Sequence, residues 1–219
     1  MSYGVQLEVW GDYALFTRPE LKAERVSYDC MTPSAARGIL EAILWHPGMK
    51  WTVDKIFVGK PIQFTNIRRN EVKSKVSASS VRAVMSGAEK ELCIATADDI
   101  QQRASMVLKD VRYLIVAHFT LTDKANATDN SGKFSDMFCR RAAKGQCYHQ
   151  PYFGCREFPA QFAPGDEAAF VRAYQDETRD LGLMLYDMDY SDRENIEPMF
   201  FRAVLKNGVM DLDGVEVYR

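Results

Sequence analysis

Three histidines are the chain's candidates for proton transfer near neutral pH, because a free imidazole has a pKa of about 6.5. They are His46, His118 and His149. His118 ends a strongly apolar stretch, so it either hydrogen-bonds inside the core or faces a site. His46 follows a predicted helix, where capping and phosphate contact are its two interpretations. His149 lies in a basic loop and is interpreted as a surface residue or a nucleic-acid contact.

Few groups are needed if the substrate is RNA. The 2′-oxygen attacks the adjacent phosphorus, a base takes its proton, and an acid protonates the leaving 5′-oxygen. Cationic side chains stabilise the equatorial oxygens. One His, a Tyr or Lys and a few Arg suffice without a metal, and the products are a 2′,3′-cyclic phosphate and a 5′-hydroxyl.

Motifs for other chemistries are missing from the sequence. It contains no P-loop, nucleophile elbow or dinucleotide fingerprint, so a nucleotide-hydrolysing or redox enzyme is disfavoured and no cofactor is expected. Asp187 and Asp189 point the same way on a predicted strand, where they either bind Mg²⁺ weakly or form a solvent-facing edge. We predict no dedicated metal site. The five cysteines lack C-x-x-C spacing, which favours reduced thiols in the cytoplasm.

Basic side chains cluster locally although the formal net charge is only −2. Arg18, Lys22 and Arg25 lie in a strand–loop–helix unit over 11–47 that is typical of anion binding. The candidate RNA-binding residues are Arg68, Arg69, Lys73, Lys75, Arg140, Arg141, Lys144 and Arg156, with Tyr148 as a stacking residue. The alternative interpretation makes these charge runs solvated faces and the aromatic residue part of the core.

The 219 residues suffice for one large domain or two small ones, and 47% of them are hydrophobic. No apolar run approaches the length of a membrane span, so no membrane partner is expected.

Periodicity in the first half predicts the order β-α-β-β-α-β. The predicted strands are 5–10, 51–58, 61–67 and 112–122, with the middle two paired through a turn near Gly59. The predicted helices are 32–45, 80–86 and 98–108. This order is the ferredoxin-like, RNA-recognition-motif-like arrangement of an α+β fold, which leaves one sheet face free of helices.

A change in composition after residue 124 predicts two domains. Residues 1–124 form the ferredoxin-like domain with a basic insertion at 68–108, and residues 125–219 form a small β-rich subdomain. The second part has a polar linker at 126–133 and a helix at 135–144. Residues 150–158, 181–187 and 200–211 make it strand-rich, the last as a hairpin turning at Asn207-Gly208.

Four segments, in order and spanning nearly the whole chain, carry a family resemblance. They are GDYALFTRPELKAERVSYDCMTPSAARGILEAILWHP, PIQFTNIRRNEV, QQRA…LKDVRYLIVAHF and RRAAKGQCYHQPYFGCREFP. Together they resemble the Cas-five family of CRISPR-associated proteins, type I-C branch. The resemblance implies a subunit of the type I-C surveillance complex, Cascade. Such a subunit cuts precursor CRISPR RNA within the repeat hairpin and stays bound to the 5′ handle.

The resemblance also implies a metal-independent catalytic set of Tyr, Lys and His. The strand motif falls on Val116-Ala117-His118, which keeps the His but has Val116 where the family often has Lys. The tyrosine position falls on Leu44. Either His118 works with a substitute such as His46 or a nearby Tyr, or another site cuts, or cleavage is lost. We expect the first.

Two rival functions remain open at this level. One is a non-catalytic subunit that binds the 5′ handle of an RNA cut elsewhere, which the missing Tyr and Lys favour. The other is binding or nicking of double-stranded DNA, for which Asp187 and Asp189 are the metal candidates.

Overall fold

The computed structural model describes residues 3–21, 23–192 and 194–219. Lys22, one of the predicted anion contacts, lies outside the described residues. The helices are α1 (Pro33–Ile43), α2 (Ala78–Met85) and α3 (Ser131–Ala143). The strands are β1 (Tyr3–Ala14), β2 (Arg25–Val26), β3 (Met49–Val58), β4 (Phe64–Val72), β5 (Ile100–Leu121), β6 (Gln161–Pro164), β7 (Thr178–Asp189), β8 (Glu197–Lys206), β9 (Val209–Asp211) and β10 (Val217–Tyr218).

The strands form one ten-stranded sheet in the order β10-β8-β9-β3-β5-β1-β6. Strands β2 and β4 also pair with β5, and β7 pairs with β8. The β2–β5 pair is parallel and the other pairs are antiparallel. The predicted combination of helices with an antiparallel sheet is therefore confirmed, with one large, mainly antiparallel sheet and few helices.

The two longer helices, α1 and α3, begin at side-chain caps. The hydroxyl of Thr32 accepts a hydrogen bond from the backbone N–H of Ala35 at 3.2 Å, and Pro33 follows as the first helical residue. The amide oxygen of Asn130 accepts from the N–H of Lys133 at 2.9 Å. The apolar faces of both helices pack into the main core on the same side of the sheet.

The central strand β5 alternates between the two faces of the sheet. Ile115, Ala117 and Phe119 are buried in the core beneath the helices. Because side chains alternate along a strand, Val116 and His118 point to the opposite face. The sheet thus presents His118 on the side away from α1 and α3.

Several predicted elements are confirmed. The helix predicted over 32–45 is α1, and the helix predicted over 80–86 is α2. The hairpin turns at Asn207-Gly208, where both residues have positive φ, 52° and 74°, as a tight two-residue turn requires.

The helix predicted over 98–108 is wrong, because these residues enter β5 and pair with β4 along its whole length. The predicted antiparallel pairing of 51–58 with 61–67 is also wrong. Strands β3 and β4 each pair with a different half of β5. The halves meet near Asp110, whose φ is 51°. The 22-residue strand β5 is long enough to pair with both β3 and β4, so these two strands pair with β5 and not with each other.

Two further predictions in the second half need correction. The helix predicted to start at 135 begins at Ser131, because Asn130 caps it one turn earlier. Residues 150–158 form turns with one isolated bridge, Tyr152 to Pro159. The division into domains at residue 124 stays a prediction.

Candidate active site

His118 forms a close pair with an acidic side chain from the neighbouring strand. Its Nδ1 lies 2.7 Å from Oδ1 of Asp54, and both side chains are half-buried. Asp54 is the extra residue of an irregularity in β3, where the pairing with β5 shifts between Val53 and Lys55. Alternation from Thr52, the direct partner of His118, places Asp54 on the face of this imidazole. The bulge then turns the following residue, Lys55, to the same face.

The surroundings of His118 on this face are open and polar. Thr52 of β3 and Gly4 of β1 are its direct cross-strand partners. Lys50 lies opposite Thr120, one pair further along the same face. Towards the other end of β5 the face is covered by the small apolar cluster of Phe57, Leu114 and Phe170. His118 lies at the uncovered end, where a large ligand has access.

His46 lies on the other side of the sheet. Its ring packs against Phe134 of α3, with 5.1 Å between ring centroids. Its Nδ1 accepts a hydrogen bond from the N–H of Gly48 at 3.0 Å and lies 3.8 Å from Asp129. Phe134 belongs to α3 and is buried between that helix and the sheet. The imidazole of His46 therefore lies on the helix side of the sheet, and His118 lies on the opposite side. The structure does not bring the two histidines together.

The position to which the resemblance assigns a tyrosine is part of the core. Leu44 is 3% exposed, and its carbonyl accepts a hydrogen bond from Nε1 of Trp51 at 2.9 Å. The next residue, Trp45, is 61% exposed and was not singled out from the sequence. Nothing in the sequence around Trp45 indicates that this single apolar side chain is exposed.

The basic insertion forms an arm made of β4, α2 and the first half of β5. Arg68, Lys73 and Lys75 are exposed on it, with no carboxylate within 4 Å among the described residues. Arg69 is different. Its guanidinium contacts Glu157, Glu71 and the hydroxyl of Ser105, so structural bonds already occupy it.

The second predicted basic group lies around the end of α3. Arg140, Lys144 and Arg156 are exposed. Arg141 instead donates to the carbonyl of Ile43 at 2.6 Å, which satisfies a terminal carbonyl of α1. The guanidinium that was predicted to contact RNA is therefore already bonded to α1.

Tyr148 is the most exposed aromatic side chain at this end of the molecule, at 87%. Its backbone N–H donates to the carbonyl of Ala42 at 2.8 Å, which fixes it beside the end of α1. Its ring meets that of His149 edge-on. The exposed Trp45 follows the same helix end. The core alternative for Tyr148 is therefore excluded.

The two aspartates considered for a metal are bonded to arginines. Asp187 accepts two hydrogen bonds from Arg37, at 3.0 and 2.8 Å, and Asp189 lies 2.9 Å from Arg219. Burial lowers the pKa of the Arg37 guanidinium, but its bonds to Asp187 and Glu41 outweigh this effect and raise the pKa above its usual value. These carboxylates are arranged to join elements of the fold.

The basic arm and His118 lie at opposite ends of β5. Arg68 pairs with Ala104, so the chain from there to His118 spans roughly 45 Å at about 3.3 Å per residue. A single nucleotide cannot contact both, whereas an RNA hairpin with a single-stranded extension can.

The family model for CRISPR-associated protein Cas5 matches residues 4–213. This chain belongs to that family. Its Cas5d relatives include a protein of Mannheimia succiniciproducens named CRISPR pre-crRNA endoribonuclease Cas5d. It is 51% identical over 217 residues, which are 97% of this chain and 96% of that protein. A protein of the same name from Thermus thermophilus is 37% identical over 238 residues, covering 98% of this chain and 95% of its own length.

A solved structure of a CRISPR-associated protein has the same fold as this Cas5 chain. Its TM-score is 0.72 at 23% identity, and the match covers 100% of this chain and 97% of the other. The family resemblance carried by the four sequence segments is thus confirmed. Among the described residues, no helix is long and apolar enough to cross a membrane.

Proposed function

We propose that this Cas5 chain is an endoribonuclease that cuts precursor CRISPR RNA within the repeat hairpin and stays bound to the 5′ handle. Two relatives that match nearly the whole chain bear the name of a pre-crRNA endoribonuclease. The observation that carries the proposal is the His118–Asp54 pair at 2.7 Å on the open face of the sheet.

His118 acts as the general base in this proposal. Asp54 accepts a hydrogen bond from Nδ1–H, which leaves the lone pair on Nε2 to take the proton of the RNA 2′-hydroxyl. The 2′-oxygen forms a bond to phosphorus as the bond from phosphorus to the 5′-oxygen breaks. The leaving oxygen takes a proton from water, and the resulting hydroxide recovers the proton from His118. No step needs a metal ion, so we propose metal-independent cleavage.

We further propose that β1, α1, β3, β5, α3 and β6 form the ferredoxin-like unit. The spatial order β3-β5-β1-β6 and the packing of α1 and α3 on one face support this assignment. The second helix of the unit is then α3, so the proposed unit extends past residue 124 and replaces the boundary predicted there. The remaining strands β7 to β10 form the β-rich part.

The proposed partners are the CRISPR repeat RNA and the other subunits of a type I-C surveillance complex, in the cytoplasm. Membership of the Cas5 family supports the partners. All five cysteines are free, which supports a reducing compartment.

The test is incubation of the purified protein with its repeat RNA in EDTA, beside His118→Ala and His46→Ala. A single cut with a 2′,3′-cyclic phosphate end is expected, lost in H118A and kept in H46A because His46 lies on the other face. RNA binding by H118A should stay nearly intact. A cut that requires Mg²⁺ would contradict the mechanism.

A second candidate function is supported by the side chains at 44 and 116. Leu44 is buried, and Val116 offers no ionisable group. Because neither position supplies a catalytic group, the chain could bind the 5′ handle without cutting the RNA. RNA that is shifted on a native gel but remains intact would establish this function instead.

A further inference from the structure

The candidate active site contains a base and its acidic partner but has no cation on β5. On that strand the residue next to His118 on the same face is Val116. A transesterification at phosphorus builds negative charge on the equatorial oxygens, which an enzyme must stabilise. The cation must therefore come from a neighbouring strand.

The register of β3 against β5 places two lysines, Lys50 and Lys55, on the face of His118, and the position of Lys55 next to Asp54 selects it for this role. Lys55 is the direct cross-strand partner of Val116. Directly opposed residues of antiparallel strands point to the same face, so Lys55 shares the face of His118. Diagonal neighbours lie about 7–8 Å apart, a distance that a lysine side chain covers. Lys55 also directly follows Asp54, and the irregularity of β3 between Val53 and Lys55 turns Lys55 to the face that Asp54 and His118 share.

The ammonium group of Lys55 is not committed to another partner. Among the described residues no carboxylate lies within 4 Å of it. Asp54 is engaged by His118, and Asp211, the residue opposite Lys55 on β9, accepts a hydrogen bond from the N–H of Asp213 at 3.1 Å. Lys55 is half-buried, which strengthens its interaction with a nearby anion compared with a fully hydrated lysine.

We propose that Lys55 is a catalytic residue of this site, whose ammonium donates a hydrogen bond to a non-bridging oxygen of the phosphate that is cut. This proposal rests on the endoribonuclease function proposed above. Lys55 transfers no proton and serves as a fixed positive charge that becomes more effective as the phosphorane forms.

Lys50 is the natural comparison. It lies on the same strand and face, beside Thr120 on the other side of His118. Its side chain is exposed, however, and it lies away from the bulge that presents Asp54. A substitution there removes the same charge from the same strand and serves as the matched control.

The experiment measures single-turnover cleavage of the repeat RNA by the wild-type protein, Lys55→Ala, Lys55→Gln, Lys55→Arg and Lys50→Ala, with RNA affinity measured in parallel. The expected loss in K55A and K55Q is about 100- to 1000-fold in rate, with affinity nearly unchanged. K55R should recover part of the rate, and K50A should cut almost normally. The glutamine variant keeps the first two methylene groups of the side chain, so it retains the packing close to the strand.

The outcomes separate this proposal from the proposed function. If the wild type cuts, H118A does not, and K55Q cuts normally, the role of Lys55 is refuted while the nuclease stands. A large loss in K50A with none in K55Q would assign the charge to the other lysine. If the wild type leaves RNA intact, the nuclease function fails and the catalytic role of Lys55 fails with it.

Discussion

The pairing of His118 with Asp54 determines which nitrogen of the imidazole can act as a base. In the proposed mechanism the carboxylate, 2.7 Å from Nδ1, accepts a hydrogen bond from Nδ1–H, so Nε2 carries the free lone pair. The same carboxylate stabilises the imidazolium once the proton has been taken. In the proposed mechanism Asp54 is thus a positioning residue that acts through His118.

We expect Asp54→Asn to lower the cleavage rate by at least about tenfold, because an amide can donate to Nδ1 and select the wrong tautomer. RNA affinity should hardly change. Single-turnover rates, measured beside filter binding, provide the test. Asp54→Glu should restore part of the activity. A normal rate in D54N would mean that the pair only supports the bulge.

The buried thiol of Cys30 is expected to be chemically inert in the folded protein. Burial, with a smaller effect from Asp29, raises its pKa from 9.0 to about 12. The folded chain therefore keeps the thiol proton as pH rises from about 9 to about 12, while the unfolded chain loses it. The stabilising contribution of the neutral thiol is complete below pH 9 and declines across this range.

Thiol labelling at pH 8 is the direct measurement of this difference. The exposed Cys93 and Cys139 should react quickly, whereas Cys30 should react only after denaturant is added. Rapid reaction of Cys30 under native conditions would show that the loop before α1 opens.

At the scale of elements, local signals were predictable and distant pairing was not. The cap at Thr32, the apolar face of α1 and the Asn207-Gly208 turn are each specified by a few adjacent residues. The residues 98–108 have apolar positions that also fit a helix. Pairing with β4, which lies about 28–44 residues earlier in sequence, and with β2 makes them a strand.

In the candidate site, too, the features that depend on distant pairing could not be predicted from the sequence. The position of His118 near the end of an apolar strand fits a core residue as well as a site residue, and the family resemblance is what made it the candidate. Asp54 and Lys55 could not be selected, since their places depend on a bulge and on the register between β3 and β5. His46 looked close in sequence to the tyrosine position, yet the sheet separates it from His118.

Helix α1 is held to β7 by one ion pair whose loss should be measurable. Arg37 binds both oxygens of Asp187, and both side chains are about three-quarters buried. We expect Arg37→Ala to lower the free energy of unfolding by about 1–3 kcal/mol, because it leaves the carboxylate without its partner. Urea denaturation measures the change.

Arg202→Ala is the matched control for that prediction. Arg202 pairs with Asp180 between strands, but its side chain is 69% exposed. Exposed pairs contribute little, so the unfolding curve should stay within error of the wild type. Equal losses in both variants would mean that burial does not govern the strength of these pairs.

At the scale of the whole molecule, charge is distributed unevenly around a net value of −2. The arm exposes Arg68, Lys73 and Lys75, while β7 and β8 pair most of their bases with acids. Under the proposed function, RNA binding by the arm and RNA cutting at His118 take place at separate points, separated by about 45 Å of chain along β5. The two properties should respond to different substitutions.

The combined variant Arg68→Ala, Lys73→Ala and Lys75→Ala should bind RNA more weakly, with a shallower dependence of affinity on salt. Each lost phosphate contact reduces the slope of log affinity against log salt by about 0.7–0.9, so three contacts reduce it by about 2–3. Cleavage at saturating RNA should continue, because His118 is untouched.

The triple variant Arg179→Ala, Arg202→Ala and Lys206→Ala is the control for that prediction. It removes the same charge from β7 and β8 and should leave the slope unchanged. Equal slopes in the wild type and the arm variant would identify the arm as a solvated surface, because counterion release follows from phosphate contact and not from net charge alone.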